Sequence, residues 1–299
     1  MARVPRPQGD GVRVRIRSAG ICGSDLHMLD SGFPIAHTLG HEMAGELSDG
    51  TPVAIEPIVF CGACDSCARG AYNLCRSGPA ILMGVGLDGG MAEEVRVPAR
   101  CLVELAGGVA VADACLVEPL AVVVHGLRRA AVAPPQRIAV IGGGTIGLCA
   151  VAAARASGVE VGLEARHENQ REAGARLGAR EMSGEYDAVV DCAGSKSALD
   201  AAVEWCRPGG TLLLLATYWD GLELPGFRVC LKELRVVPAS LYARHGGARD
   251  IDTAADLLAT EPEIARAIIT HRLPLDAARE AFELARDRKQ GVIKVVLEP

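Results

Sequence analysis

Residues Arg137 to Gly147 read RIAVIGGGTIG. The first five, rich in Ile, Val and Ala, suit a strand buried on both faces. Gly142, Gly143 and Gly144 break that run, and an alanine-rich stretch to Ala156 then reads as a helix. A G-x-G-x-x-G pattern is weak by itself, but here it stands between a strand and a helix, the context in which it cradles a pyrophosphate. Gly142 allows the tight turn, Gly144 lets the backbone approach the phosphates, and Gly147 permits close packing of helix on strand. The helix N-terminus, with Thr145 and Ile146, faces the phosphate charge.

Downstream of this turn the same rhythm repeats. Strands are expected at Val159 to Leu163, Asp187 to Asp191, Thr211 to Leu215 and Arg235 to Ala239, with helical segments between them. Such βα alternation implies a parallel sheet covered on both faces. Upstream the pattern differs. Val12 to Arg17 alternates strictly as VRVRIR, Val53 to Ile55 and Glu94 to Val97 also read as strands, and Gly and Pro punctuate the region. The first hundred residues are therefore mainly β, followed by a helical stretch from Ala110 to Ala131. Near the end, Asp276 to Arg288 reads as an amphipathic helix and Val292 to Leu297 as a strand. The class is α/β, with a β-rich first domain and a doubly wound second one.

The 299 residues can form two domains, and 49% hydrophobic against 23% charged residues argues against disorder. A formal charge of -6 without a basic block speaks against nucleic acid or an anionic membrane surface as partner. No stretch approaches the roughly 20 apolar residues of a membrane span. The start, MARVPRP, lacks the apolar segment of a signal peptide. Eleven cysteines, an odd number, in a chain with metal-type spacing imply reduced thiols and a cytoplasmic setting.

Four of those cysteines, Cys61, Cys64, Cys67 and Cys75, follow the spacing C-x2-C-x2-C-x7-C among Gly, Asp, Ser and Arg. Free cysteines are often small buried hydrophobes, but this setting does not resemble a core. Four thiolates on one loop complete a closed tetrahedral shell, expected to hold a structural zinc. Cys22, in GICGSDLH, and His41, in GHEMAG, supply two candidate ligands for a second, catalytic zinc. Such a site needs three protein ligands and an open position. Glu42 and Glu118 are both candidates for the third, and the apolar surroundings of Glu118 make an unpaired carboxylate there costly.

Taken together, GICGSDLH (Gly20 to His27), GHEMAG (Gly40 to Gly45), the four-cysteine loop, LVEPLAV (Leu116 to Val122), VIGGGTIG (Val140 to Gly147) and IKVVLEP (Ile293 to Pro299) resemble the zinc-dependent medium-chain alcohol dehydrogenases, closest to their polyol and threonine dehydrogenase branch. The resemblance spans nearly the whole chain. It implies a GroES-like catalytic domain at residues 1–125 with a C-terminal return at 262–299, and a Rossmann domain at 126–261. It implies two zincs per chain. Cys22 and His41 would be catalytic zinc ligands, Glu118 would stand at the third-ligand position, and Glu42 would be the exchanging ligand. Ser24 would contact the reacting alcohol, His27 would lie on a proton relay, and Asp25 would support the metal ligands. Relative to the family pattern, an N-terminal hairpin is missing and the interval from Gly45 to Pro57 is short, which bears on the shape of the substrate cleft. A homodimer or homotetramer is expected.

The family pattern also places Ala165 where NAD-preferring members carry an acidic residue for the ribose, counting back from Leu177 to Ala179. Arg166 and His167 follow. A small residue removes anionic repulsion and Arg can pair with a 2′-phosphate, so NADP is favoured. The alternative is that Glu164 binds the ribose and NAD is used. The implied reaction is reversible oxidation of an alcohol to a ketone or aldehyde. Its rivals are a reductase working mainly toward the alcohol, and a non-catalytic NADPH-binding redox or regulatory protein. Phe33, Tyr218 and Trp219 could line a substrate pocket or simply pack.

Overall fold

The computed structural model describes residues 10–78, 82–219 and 221–299. Strand β1 (Val12–Gly20) follows the alternation read from the sequence, with Val14 and Ile16 buried. A helix not foreseen from the sequence, Gly23–Asp30, follows at once. Strands β2 (Glu42–Glu46), β3 (Pro52–Ile55), β4 (Glu94–Val97) and β5 (Leu102–Glu104) come next. The helix expected over 110–131 is shorter, Val117–Arg129, preceded by a tight turn at Ala114–Leu116. Pro119 is tolerated because it lies in the first helical turn, where no backbone N–H is needed.

The chain then enters β6 (Arg137–Ile141), β7 (Glu160–Glu164), β8 (Tyr186–Asp191), β9 (Cys206–Leu214) and β10 (Arg235–Pro238). A small hairpin, β11 (Arg244–His245) and β12 (Ala248–Arg249), leads to β13 (Ile269–Pro274) and β14 (Lys294–Glu298).

Two compact units result: Met1–Ala121 with Tyr242–Ala265 and Ile269–Pro299, and Val122–Leu241 with Arg266–Ile268. The first is built on a seven-stranded sheet of order β13-β14-β1-β2-β3-β5, with β4 also paired to β1. Val14, Ile16, Met43, Ile55, Val97, Val295 and Leu297 fill its core. The register between β1 and β2 shifts between Ile16 and Ser18. Gly45 is required there, since a Cβ would lie 2.1 Å from the Arg15 carbonyl oxygen.

The stretch 242–261, expected in the nucleotide-binding domain, belongs to the first unit instead. Its hairpin is tied there: the Arg244 N–H donates to the Gly70 carbonyl at 2.9 Å, and the Arg249 guanidinium reaches the carbonyls of Arg100 and Leu102.

The second unit carries five parallel strands in the order β10-β9-β8-β6-β7. Ile138, Val140, Val189, Leu212 and Leu213 are buried, as the continuous apolar runs required. From β6 the chain steps to β7 on one side and then to β8 on the other. Ligands of such sheets bind at that reversal, beyond the C-terminal ends of the strands.

Candidate active site and metal centres

The sulfurs of Cys61, Cys64, Cys67 and Cys75 all lie within 4.8 Å of one another. Cys61 and Cys67 are 3.8 Å apart and Cys64 and Cys67 3.5 Å. A tetrahedral thiolate shell with metal–sulfur bonds of about 2.3 Å has sulfur–sulfur edges of about 3.8 Å, far longer than the roughly 2.05 Å of a disulfide. The loop is thus shaped for a metal ion. The Cys61 N–H donates to Cys75 Sγ and the Cys64 N–H to Cys61 Sγ, both at 3.4 Å. Backbone donors of Cys61 and Ser77 pull the Cys75 thiol down to about 6, and those of Arg76 and Cys67 lower Cys64. Cys67 moves the other way, up to about 12, through burial. Tyr72, inside the loop, stacks on Phe60 and donates to the buried Glu56 carboxylate at 2.5 Å, which anchors the loop to the sheet.

The second cluster forms where β1 ends. Cys22 is the N-cap of helix Gly23–Asp30, and the Asp25 carboxylate accepts from the Cys22 N–H at 2.9 Å. The sulfur therefore stands at a helix N-terminus. His41 precedes β2, whose Glu42 pairs with Gly20 across the strands. A Cβ at Gly20 would lie 2.1 Å from Glu42 Oε2, so only glycine leaves room for that carboxylate. Ligand atoms of Cys22, His41 and Glu42 lie within 4.8 Å of one another. Ser24 Oγ is 3.4 Å from His41 Nε2.

Asp25 Oδ1 lies 3.5 Å from His41 Nδ1, and both atoms are buried without a hydrogen-bond partner among the described residues. Burial alone would lower the His41 pKa, but the charges of Asp25, Cys22 and Glu118 outweigh it and raise it well above the ordinary value. Glu118 stands in the first turn of helix Val117–Arg129, 5% exposed, and burial pushes its carboxyl up to about 7. It falls outside the Cys22–His41–Glu42 trio, although His41 acts on its charge. A thiol, an imidazole and the buried Glu118 carboxylate form a donor set that zinc takes, so these residues fit a catalytic zinc.

One participant escaped the sequence reading. Lys294, 2% exposed, donates to both Glu42 oxygens, at 2.8 and 2.5 Å, and to the Ile21 carbonyl at 3.0 Å. Its signal was a lone lysine inside the apolar run Val292 to Leu297.

In the second unit, the glycine turn follows β6. Gly142 has φ +107°, a left-handed conformation that favours glycine. A Cβ on Gly147 would meet the Gly142 carbonyl oxygen at 1.8 Å. Gly144 caps helix Thr145–Ala156. Ala165, next after β7, faces this turn: a Cβ on Gly143 would come within 2.7 Å of the Ala165 Cβ. Arg166 is exposed and His167 caps helix Glu168–Arg176. The Glu164 carboxylate is engaged by the Trp205 indole N–H at 2.7 Å. Tyr218 donates to Asp191 at 2.7 Å, whereas Phe33 and Trp219 are about half exposed, at 49% and 50%.

With this geometry in place, known proteins can be set beside the chain. Residues 8–107 match the alcohol dehydrogenase GroES-like domain, and residues 145–260 the zinc-binding dehydrogenase domain. L-galactonate-5-dehydrogenase of Escherichia coli (strain K12) is 30% identical, the match covering 98% of this chain and 93% of that protein. Sorbitol dehydrogenase of Bacillus subtilis (strain 168) is 28% identical over 99% of this chain and 92% of its own length. The crystal structure of a zinc-binding dehydrogenase from Sinorhizobium meliloti 1021 bound to NADP superposes with a TM-score of 0.87 at 28% identity, covering 100% of this chain and 94% of that one. Similarity over almost the full length, joined to a thiolate loop and a glycine turn built as that chemistry needs, shows that the chain belongs to the zinc-dependent medium-chain dehydrogenases, as an NAD(P)-dependent alcohol oxidoreductase of their polyol branch.

Proposed function

We propose that the chain oxidises a secondary alcohol of a polyol or sugar acid, with NADP as the preferred cofactor. Catalysis would use a zinc held by Cys22, His41 and Glu118, and a second zinc on Cys61, Cys64, Cys67 and Cys75 would be structural. The observation that carries a metal here is the cluster of Cys22, His41 and Glu42 with the Ser24 hydroxyl 3.4 Å from His41 Nε2; the Glu42 carboxylate is already held by Lys294, and the buried Glu118 is therefore taken as the third ligand. When bound, the zinc and the nicotinamide supply Lewis acidity at the alcohol oxygen and the hydride acceptor.

The chain's own groups do the rest. Ser24 and His27 are three residues apart on one helix, so they share a face. Ser24 Oγ accepts the hydroxyl proton of the substrate as it gives up its own, and the half-exposed His27 passes that proton on toward solvent. Asp25 fixes the orientation of His41, because its two oxygens face the Cys22 N–H and the imidazole.

Support for NADP comes from Ala165 facing the glycine turn while Glu164 is held by Trp205 and Arg166 is free to meet a 2′-phosphate. The relatives named for galactonate and sorbitol support a polyhydroxy substrate. The need for reduced thiolates supports a cytoplasmic setting. Phe227 and Leu231, 82% and 71% exposed on helix Gly226–Leu231, support assembly into a dimer or tetramer.

The test is a panel of polyols, sugar acids and simple alcohols offered with NADP and with NAD, following absorbance of the reduced nicotinamide, beside mass determination in solution. Turnover confined to simple primary alcohols, or a clear preference for NAD, would count against the reading.

A further inference from the structure

Ala165, Arg166 and His167 join β7 to helix Glu168–Arg176. This loop lies against the glycine turn: a Cβ on Gly143 would come 2.7 Å from the Ala165 Cβ and 2.6 Å from the Gln170 Cβ. One side chain of the helix folds back over it. Arg171 Nη1 donates to the Ala165 carbonyl at 2.9 Å and to the Arg166 carbonyl at 3.1 Å. Its Nε donates to Glu168 Oε2 at 3.1 Å, and Nη2 donates to the same oxygen. A guanidinium holds its N–H donors in a rigid fork, and both arms of this fork and its Nε are spent within the loop and the first helical turn. Glu168 also balances its charge. Arg171 is thus a brace, in contrast to the exposed Arg166.

The brace decides what the loop shows on its other side. In a trans peptide the N–H points opposite to the carbonyl that precedes it. With two successive carbonyls drawn to Arg171, the N–H groups of Arg166 and His167 turn away from it together. Successive N–H groups on one side form a concavity that accepts an anion. Neither of them donates a hydrogen bond among the described residues. The helix that begins after His167 adds positive potential at the same place. Without the brace, the two carbonyls could turn toward a phosphate and repel it.

We propose that Arg171 is a positioning residue for cofactor choice. By drawing back the Ala165 and Arg166 carbonyls, it presents the Arg166 and His167 N–H groups, with the Arg166 guanidinium, to the 2′-phosphate of NADP. This rests on the reading of Arg166 as the partner of that phosphate. NAD carries a hydroxyl there and gains little from the brace.

The experiment measures binding rather than turnover. NADPH and NADH are titrated into the purified protein, following the fluorescence of the reduced nicotinamide. Arg171→Met should weaken NADPH about tenfold and NADH less than about twofold, because charge-assisted hydrogen bonds to a phosphate depend on alignment. Arg171→Lys keeps the charge but loses the fork, so its NADPH affinity should fall to within about threefold of that of Arg171→Met. Equal weakening of both cofactors in Arg171→Met, or weakening of neither, overturns the proposal. So does an Arg171→Lys that binds NADPH as the wild type does, since Arg171 would then act as a charge alone.

Should Arg171→Met fail to fold, the same ratio in Arg171→Lys decides. A wild type that binds NADH more tightly than NADPH sinks the NADP reading and the proposal together. A wild type that prefers NADPH, with the ratio unmoved in Arg171→Met, sinks the proposal alone.

Discussion

Replacing Arg249 by Met should destabilise the first unit strongly. The guanidinium is 17% exposed and its partner Glu56 1%. Arg249 Nη1 reaches Glu56 Oε2 at 3.1 Å and the Arg100 carbonyl at 2.9 Å, while Nη2 reaches Leu102. Met fills similar space but leaves Glu56 with the Tyr72 hydroxyl as its remaining hydrogen-bond donor among the described residues. Breaking a buried pair from one side costs about 3–5 kcal/mol. A unit of this size loses about 2–4 °C of Tm per kcal/mol, so the loss is on the order of 10 °C.

Burial raises the Glu56 carboxyl above its ordinary value, with Tyr72 and Arg249 pulling against that rise. A carboxyl whose folded-state pKa is raised contributes stability that is present below the unfolded pKa and is lost as pH rises through the folded one. Removing Arg249 raises it further. The deficit of Arg249→Met should therefore shrink as pH falls from about 8 to about 5. Urea denaturation at both pH values, with Glu56→Gln/Arg249→Met as the closing arm of a cycle, measures this. A loss below about 1 kcal/mol, or a deficit that grows on acidification, would refute the reasoning.

Cys64→Ser should lower both Tm and zinc content by opening the closed shell; unchanged stoichiometry in metal analysis would contradict a structural zinc. Cys22→Ala or His41→Ala should abolish turnover while fluorescence titration shows NADPH binding nearly intact, since these ligands and the glycine turn lie in different units. Arg166→Ala should weaken NADP about ten- to a hundredfold relative to NAD, the worth of a charge-assisted pair. Ala165→Asp should act in the same direction, and kcat/KM ratios for the two cofactors test both. Gly147→Ala should abolish cofactor binding, because the new Cβ would sit 1.8 Å from the Gly142 oxygen; isothermal titration would show it.

What could be read from the sequence was what is local. The cysteine loop spans fifteen residues, so its spacing reports its geometry directly. The glycine turn is legible because strand, turn and helix are contiguous. Strand β1 was visible through its alternation, but helix Gly23–Asp30 was not: eight residues hold too few turns to show a period, and its N-cap is a cysteine rather than one of the usual capping residues. The pairing of Glu42 with Lys294 joins strands 252 residues apart in sequence, beyond the reach of any local pattern. The facing of Ala165 against Glu164 turned on a single residue of register. The family pattern puts 242–261 in the second domain, whereas hydrogen bonds to Gly70 and Leu102, distant in sequence, tie the hairpin Arg244–Arg249 to the first unit.

Asp25 has a consequence for kinetics. One of its oxygens caps the helix that begins after Cys22, and the other faces His41. Unwinding the first turn of that helix would therefore disturb two candidate ligands at once. For an ion held by this cluster, escape and fraying of Gly23–Asp30 would then be one event with a shared rate. Amide hydrogen exchange in those eight residues should then slow when the ion is bound, and its opening rate should set the upper limit on how fast a chelator can strip the site.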